Sequence, residues 1–219
     1  MWYASEGCCA DDTYHRRGLA PVNGQLMVPQ RFAIDWFKLN GRHAAWAGNS
    51  RRLTSYFTFH QPVIAAANGV VVGPQDGLPN QRPPEPPPVP PIQDTVGNHI
   101  VIRAAPGVYL LYAHLQRGSL RVHVGEHVRR GQVLARIGNS GNSTTPHLHF
   151  QIMTTATFFP TDSRPYVFRR FYLLGQITSR IWDDNLGLQP TGVLPFARAG
   201  RPGTRADEMP LDRNVLWFP

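Results

Sequence analysis

The sequence predicts an all-β protein, mainly antiparallel, with a sandwich- or barrel-like sheet. Short apolar segments rich in Val, Ile, Leu, Tyr and Phe recur at regular spacing, and Gly, Pro, Asn or Asp bounds them. The 219 residues include 20 glycines and 21 prolines, a turn-rich composition that suits strands better than a helix bundle. No long helical period is present. With 42% hydrophobic and 16% charged residues, the chain reads as globular rather than disordered. Its length allows one good core with appendages.

In chain order, residues 1–29 read as an irregular extension, with Asp11-Asp12, His15-Arg16-Arg17, Pro21 and Gly24. The first clear strand is Arg31 to Phe37: Phe32, Ile34 and Trp36 share one face, and Ala33, Asp35 and Phe37 the other. Residues 40–58 are polar and loop-like. Pro62 to Gly73 reads as two short strands around Asn68-Gly69, a hairpin signal. Pro79 to Pro91 reads as an extended, polyproline-like surface loop inserted between strands; a ligand for an aromatic-grooved module is the other reading. Strands are expected at Asn98–Arg103, Val108–Leu115, Leu120–Val124 and Val133–Ile137, with Gly125 and Gly131 bracketing a turn. Gly138 to Ser143 makes a tight loop into a last strand, Phe150–Met153. Tyr166 to Ile181 fits a helix or a pair of strands, and 183–219 reads as loop. The expected organisation is an extension at 1–29, a domain at 30–160 and an extension at 161–219.

The net charge of +8 favours anionic partners. The basic residues are almost all Arg, scattered in pairs such as Arg129-Arg130, without the block that marks a nucleic-acid arm. A nucleic-acid reading would rest on charge alone, and none is expected. Cys8 and Cys9 are adjacent, a spacing that rarely forms a structural disulfide and cannot supply a zinc ribbon. No apolar run approaches the roughly 18–20 residues of a membrane span. In the opening Met-Trp-Tyr-Ala-Ser-Glu no signal peptide is visible, which fits either a protein that stays inside or a chain that lacks its natural N-terminus.

The chemistry gathers at Pro146-His147-Leu148-His149-Phe150. On a strand, His147 and His149 project to one side while Leu148 and Phe150 face the other. For an isolated His-x-His, two partly exposed strand histidines are the commoner case. Here two further residues stand out. Asp35 lies mid-strand among apolar residues, where a carboxylate costs several kcal/mol unless it is paired, hydrogen-bonded or metal-bound. His114 ends the apolar run Tyr112-Ala113-His114-Leu115, a place that commonly faces a cleft. A zinc hydrolase needs about three His, Asp or Glu ligands, a base and an oxyanion donor, and these four have the chemistry for such places.

Five motifs in a set order carry a resemblance: Gly69-Val70-Val71, Tyr112-Ala113-His114-Leu115, Gly125-Glu126-His127-Val128-Arg129-Arg130-Gly131-Gln132, Gly138-Asn139-Ser140-Gly141-Asn142-Ser143 and Pro146-His147-Leu148-His149-Phe150. Over roughly residues 30–153 the chain resembles the M23 (lysostaphin/LytM-like) zinc metallopeptidases, which cut peptidoglycan peptides. The resemblance implies the mainly antiparallel β fold of that family, one Zn²⁺, Asp35 and His149 as ligands, and His114 and His147 as the non-ligand histidines that act on water and on the tetrahedral intermediate. It also implies a peptide or peptidoglycan substrate and a place in the cell envelope or outside the cell. The family's first ligand, a His four residues before the Asp, is here Arg31, which has no acceptor for a metal. Three explanations compete. A His from elsewhere fills the place, with His15 the leading candidate and His43 and His60 after it. Metal is held weakly by two ligands. Or the site is lost, Arg31 pairs with Asp35, and the groove only binds. The expected function is zinc-dependent endopeptidase action on peptidoglycan, with a non-catalytic binding or regulatory module as the alternative.

Overall fold

The computed structural model describes the backbone of residues 1–219 and every side chain except those of Val22, Asp183 and Asp184. The N-terminal segment holds β1 (Trp2–Ser5), a single helical turn α1 (Tyr14–Arg17), β2 (Ala20–Val22) and β3 (Gln25–Met27). The middle holds β4 (Ile34–Lys38), β5 (Pro62–Ile64), β6 (Gly69–Gln75), β7 (Asn98–Ala105), β8 (Val108–Leu115), β9 (His127–Val128), β10 (Val133–Arg136) and β11 (Leu148–Met153). Beyond it lie β12 (Ser163–Arg164), β13 (Phe171–Ile177), α2 (Asp183–Leu186), β14 (Phe196–Arg205) and β15 (Asn214–Trp217).

Most strands join one open antiparallel sheet, in the order β14-β13-β15-β1-β4-β11-β8-β7-β6-β9, with β12 beside β11. β5 and β10 form a second small sheet. Its Val63, Leu134 and Ala135, with Ile137 beyond it, pack on Ile34, Trp36, Val71, Ile100, Ile102, Tyr112 and Phe150 of the large sheet to make the main core. The opposite face of the large sheet carries two smaller cores, one around Tyr3, Phe37, Trp46 and Val215, the other around Val101, Leu111, Ala113 and Met153. The fold is all-β and antiparallel, as the composition and spacing predict.

Several local expectations are corrected. The Asn68-Gly69 pair does not close a hairpin: β5 pairs with β10, and β6 with β7 and β9. Gly69 serves close approach instead, because a Cβ there would sit 2.5 Å from the Ile102 side chain and 2.6 Å from the Arg103 carbonyl oxygen. The Asn-Gly hairpin occurs at Asn23-Gly24, between β2 and β3, where both residues have positive φ (50° and 76°). Leu120–Val124 is not a strand, although Val122 is buried. Residues 183–219 are not loop but contain β14 and β15. β14 is an edge strand, and an edge tolerates the Gly200 and Pro202 that hide its pattern. The N-terminal segment is no bystander either, since β1 lies between β4 and β15 in the sheet. Cys8 and Cys9 are bonded to each other, against expectation. The 79–91 segment has no strand or helix, and its Gln81 amide and carbonyl bond Asn139 of the 138–143 loop.

Candidate metal centre

The site begins with strand register. β11 pairs antiparallel with β4 so that His149 lies directly opposite Asp35. Directly opposed residues of a ladder share a face and bring their Cβ atoms to roughly 4.5–5.5 Å. Their side chains meet, with His149 Nδ1 2.8 Å from Asp35 Oδ1. His147 precedes the same strand on the same face, and its Nε2 lies 3.5 Å from the same oxygen. Leu148 and Phe150 turn the other way, into the main core. On the far side of β11, Ala113 of β8 opposes His149. His114 would by alternation point away. Its φ of 58° breaks the alternation and lays its ring 4.6 Å from that of His147 and 5.9 Å from that of His149, centroid to centroid.

The N-terminal segment supplies a further histidine. Thr13 caps α1, its side chain accepting from the Arg16 amide. The turn carries His15 inward, where it is 5% exposed. His15 Nε2 lies 3.3 Å from Asp35 Oδ2. One nitrogen each from His15 and His149 and an oxygen of Asp35 all fall within 4.8 Å of one another, and all three residues are buried.

The outer nitrogens fix the direction of each ring. His15 Nδ1 donates to the Glu6 carbonyl at 3.0 Å, so Nε2 offers a lone pair to the centre. His149 Nε2 donates to Gln151 Oε1 at 2.8 Å, so Nδ1 does the same. Gln151 is in turn oriented by donating to the Pro29 carbonyl at 3.0 Å. Lone pairs from two imidazoles converge on a carboxylate, an arrangement that repels itself unless a cation lies between. The donor set suits zinc: N and O ligands, three from the protein, and each ligating imidazole held by a carbonyl acceptor on its other nitrogen.

Without a metal, protons take up part of this load. Burial raises the cost of charge on Asp35, but His15, His147 and His149 outweigh it and hold the carboxyl well below its usual range. Burial likewise depresses His15, but Asp35 prevails and its pKa is raised. Burial lowers His114 well below 6.5, with His147 and His149 adding to the effect. At His147 burial lowers the pKa and the Asp35 carboxylate, though close, does not offset it. Both rings therefore sit neutral at pH 7. His114 Nδ1 donates to the Ser140 carbonyl and His147 Nδ1 to the Thr145 carbonyl, each at 2.8 Å. Each thus holds an unprotonated Nε2, the form that can take a proton.

The structure brings His114, His147, Asp35, His149 and His15 together. It leaves the other candidates apart. Arg31 is exposed with its guanidinium over the Phe32 ring, and makes no ion pair with Asp35. His43 stacks on Phe196, and His60 bonds Gln116. Sequence reading missed Gln151 and Glu6. Gln151 was accessible to it, because it lies two residues beyond His149 and so shares its face. Glu6 was not, since its role depends on where the N-terminal segment folds. A cleft of about 850 Å³ lies elsewhere, lined by Arg103, Tyr109, His127 and Arg129 among others, and contains none of the five clustered residues.

Residues 55–160 match the model of the family described as Peptidase family M23. A DD-carboxypeptidase/endopeptidase, Mpg of Neisseria meningitidis serogroup B, is 46% identical over 55 residues, which are 25% of this chain and 12% of that protein. The glycyl-glycine endopeptidase ALE-1 of Staphylococcus capitis is 40% identical over 73 residues, 33% of this chain and 20% of that protein. The chain thus spans a fifth or less of the length of these curated relatives. Among solved structures, the catalytic domain of lysostaphin from Staphylococcus simulans aligns with a TM-score of 0.40 and 23% identity, covering 66% of this chain and 80% of that one.

Proposed function

We propose that the chain is a zinc-dependent endopeptidase acting on peptide bonds of bacterial peptidoglycan, in the cell envelope or outside the cell, a reading supported by the match of residues 55–160 to the Peptidase family M23 model. The observation that carries this reading is the convergence of His15, Asp35 and His149 within 4.8 Å, beside His147, whose Nε2 lies 3.5 Å from Asp35 Oδ1, and His114, whose ring centroid is 4.6 Å from that of His147. His15 Nε2, Asp35 and His149 Nδ1 would hold the ion. Zinc bound there would act as a Lewis acid, bringing the pKa of water toward about 7 and polarising the substrate carbonyl.

The protein's own residues then divide the proton work. One of His114 and His147 accepts a proton from the attacking water at Nε2. A neutral imidazole whose Nδ1–H is already committed to a carbonyl has only that nitrogen free to do so. The proton taken by the first would pass to the leaving amine, and the other, protonated at Nε2 by solvent water, would donate a hydrogen bond to the developing oxyanion. The Ser140 and Thr145 carbonyls favour the imidazolium that forms, since each bond strengthens when the ring is charged. The names of the matched relatives, endopeptidases and a DD-carboxypeptidase, support a peptide substrate of the cell wall.

Purified chain is expected to contain about one equivalent of zinc and to release peptide fragments from peptidoglycan, an activity removed by a chelator and by His149→Ala. Metal-free protein that binds peptidoglycan without cutting it would overturn the enzyme reading in favour of a binding module.

A further inference from the structure

His15 is a ligand carried on a single turn of helix, and one turn does not hold itself. Nucleating a helix fixes several dihedrals for one hydrogen bond, and isolated short helices are marginal in water. α1 spans only Tyr14–Arg17. On its inner side it is held by Glu6, whose carboxylate accepts from the Tyr14 amide at 2.6 Å. On its outer side it is gripped by the chain beyond residue 160. The Arg180 guanidinium bridges Asp12 Oδ1 and Asp212 Oδ2, each at 2.8 Å. It also lies over the Trp182 ring, 5.1 Å from its centroid. Trp182 also packs against Tyr14, with ring centroids 4.5 Å apart. The residue directly before His15 and the residue three before it are thus fastened to one Arg-Trp pair. Backbone bonds continue the seam: the Asp212 amide donates to the Cys8 carbonyl and the Arg213 amide to the Ala4 carbonyl.

We infer that Arg180 and Trp182, with Asp212 behind them, form a clamp that positions His15 as a zinc ligand, so that the segment following the M23 domain completes the metal centre. These are positioning residues: they touch the ligand's neighbours and not the centre. The inference rests on the metal reading above and adds a dependence that reading does not contain. Zinc affinity is set from residues more than 140 positions away in sequence, outside the stretch the family model covers. A ligand that must be ordered at the moment of binding lowers affinity by the cost of ordering it, and a clamp removes that cost beforehand. The charge arrangement serves the same end, because Asp12 and Asp212 would repel without the guanidinium between them.

The test uses full-length chain and measures zinc affinity by competition with a chromogenic chelator. Trp182→Ala and Arg180→Gln should each weaken zinc binding about 10-fold, the lower range for residues that orient a ligand. Trp182→Phe, which keeps a ring against Tyr14, should stay near wild type. In a His15→Ala background Trp182→Ala should cause no further loss, because the clamp acts only through His15. Amide exchange in metal-free Trp182→Ala should rise at Arg17 and Gly18, whose amides close the α1 turn. Equal zinc affinity in wild type and both clamp variants overturns the inference while leaving the metal reading intact. So does an equal further loss in the His15→Ala background, which would mark a general structural role. A wild-type chain that binds no zinc overturns the metal reading and this inference together.

Discussion

At the residue scale, His15 and Arg31 invite opposite experiments. Arg31 occupies the chain position where a ligand is expected, yet it points to solvent beside Phe32. His15 comes from a distant segment, yet its Nε2 reaches Asp35. His15→Ala should weaken zinc binding by about 100-fold or more, since it would remove one of the three proposed protein ligands. Arg31→Ala should change it less than about twofold, as exposed substitutions away from special features do. Isothermal titration with zinc separates the two, and the reverse ranking would show that His15 is not the third ligand. Asp35, His147 and His149 were legible as candidates because strand alternation or an apolar setting makes a polar residue conspicuous, and His114 because it ends an apolar run, but their convergence was not legible. His15 was legible only as a candidate. Nothing local to Tyr14-His15-Arg16 announces a ligand; its role arises from where the segment docks.

Among the elements, the same dipeptide gives two outcomes. Asn23-Gly24 closes a hairpin with two positive φ values, while Asn68-Gly69 leads into a strand that crowds Ile102 and Arg103. Local turn chemistry was equally readable in both, and tertiary packing decided. The 138–143 loop shows how an element serves chemistry. Ser140 donates its hydroxyl to the Leu115 carbonyl, accepts from the Asn98 amide, and offers its own carbonyl to His114. Gly97 allows this close approach: it has a φ of 63°, and a Cβ there would strike the Ser140 backbone. Gly97→Ala should therefore cost about 1–3 kcal/mol of stability by overpacking. It should also lower peptidase activity beyond what the unfolded fraction explains, because it displaces the carbonyl that orients His114. Denaturant melts paired with activity at a temperature where the variant is fully folded would check this, and undiminished activity in the folded variant would sink the second half.

For the whole molecule, zinc should act as an internal cross-link. The proposed ligands at positions 15, 35 and 149 would join β4, β11 and the N-terminal segment, so zinc bound to the native state alone would stabilise it by mass action. Zinc at a thousandfold its dissociation constant contributes about 4 kcal/mol, which for a chain of this size should raise Tm by roughly 10 °C. Calorimetry with and without chelator measures this; coincident transitions would mean that the cluster holds no ion in solution. The overall β architecture was legible because its central strands are short, apolar and bounded by turn residues. The outer strands were not: β14 owes its place to an edge, and β1 to a gap between β4 and β15, and neither leaves a strong pattern. That gap has a temporal consequence. Synthesis makes His15 before Asp35 and His149, but β15, which pairs with β1, and Arg180, which grips the neighbours of His15, are made after all of them. A nascent chain would carry four of the five histidine and carboxylate groups long before it could seat the fifth. Seating of His15 beside Asp35 therefore waits until the segment beyond residue 160 has been made and has met the segment that carries β1 and α1.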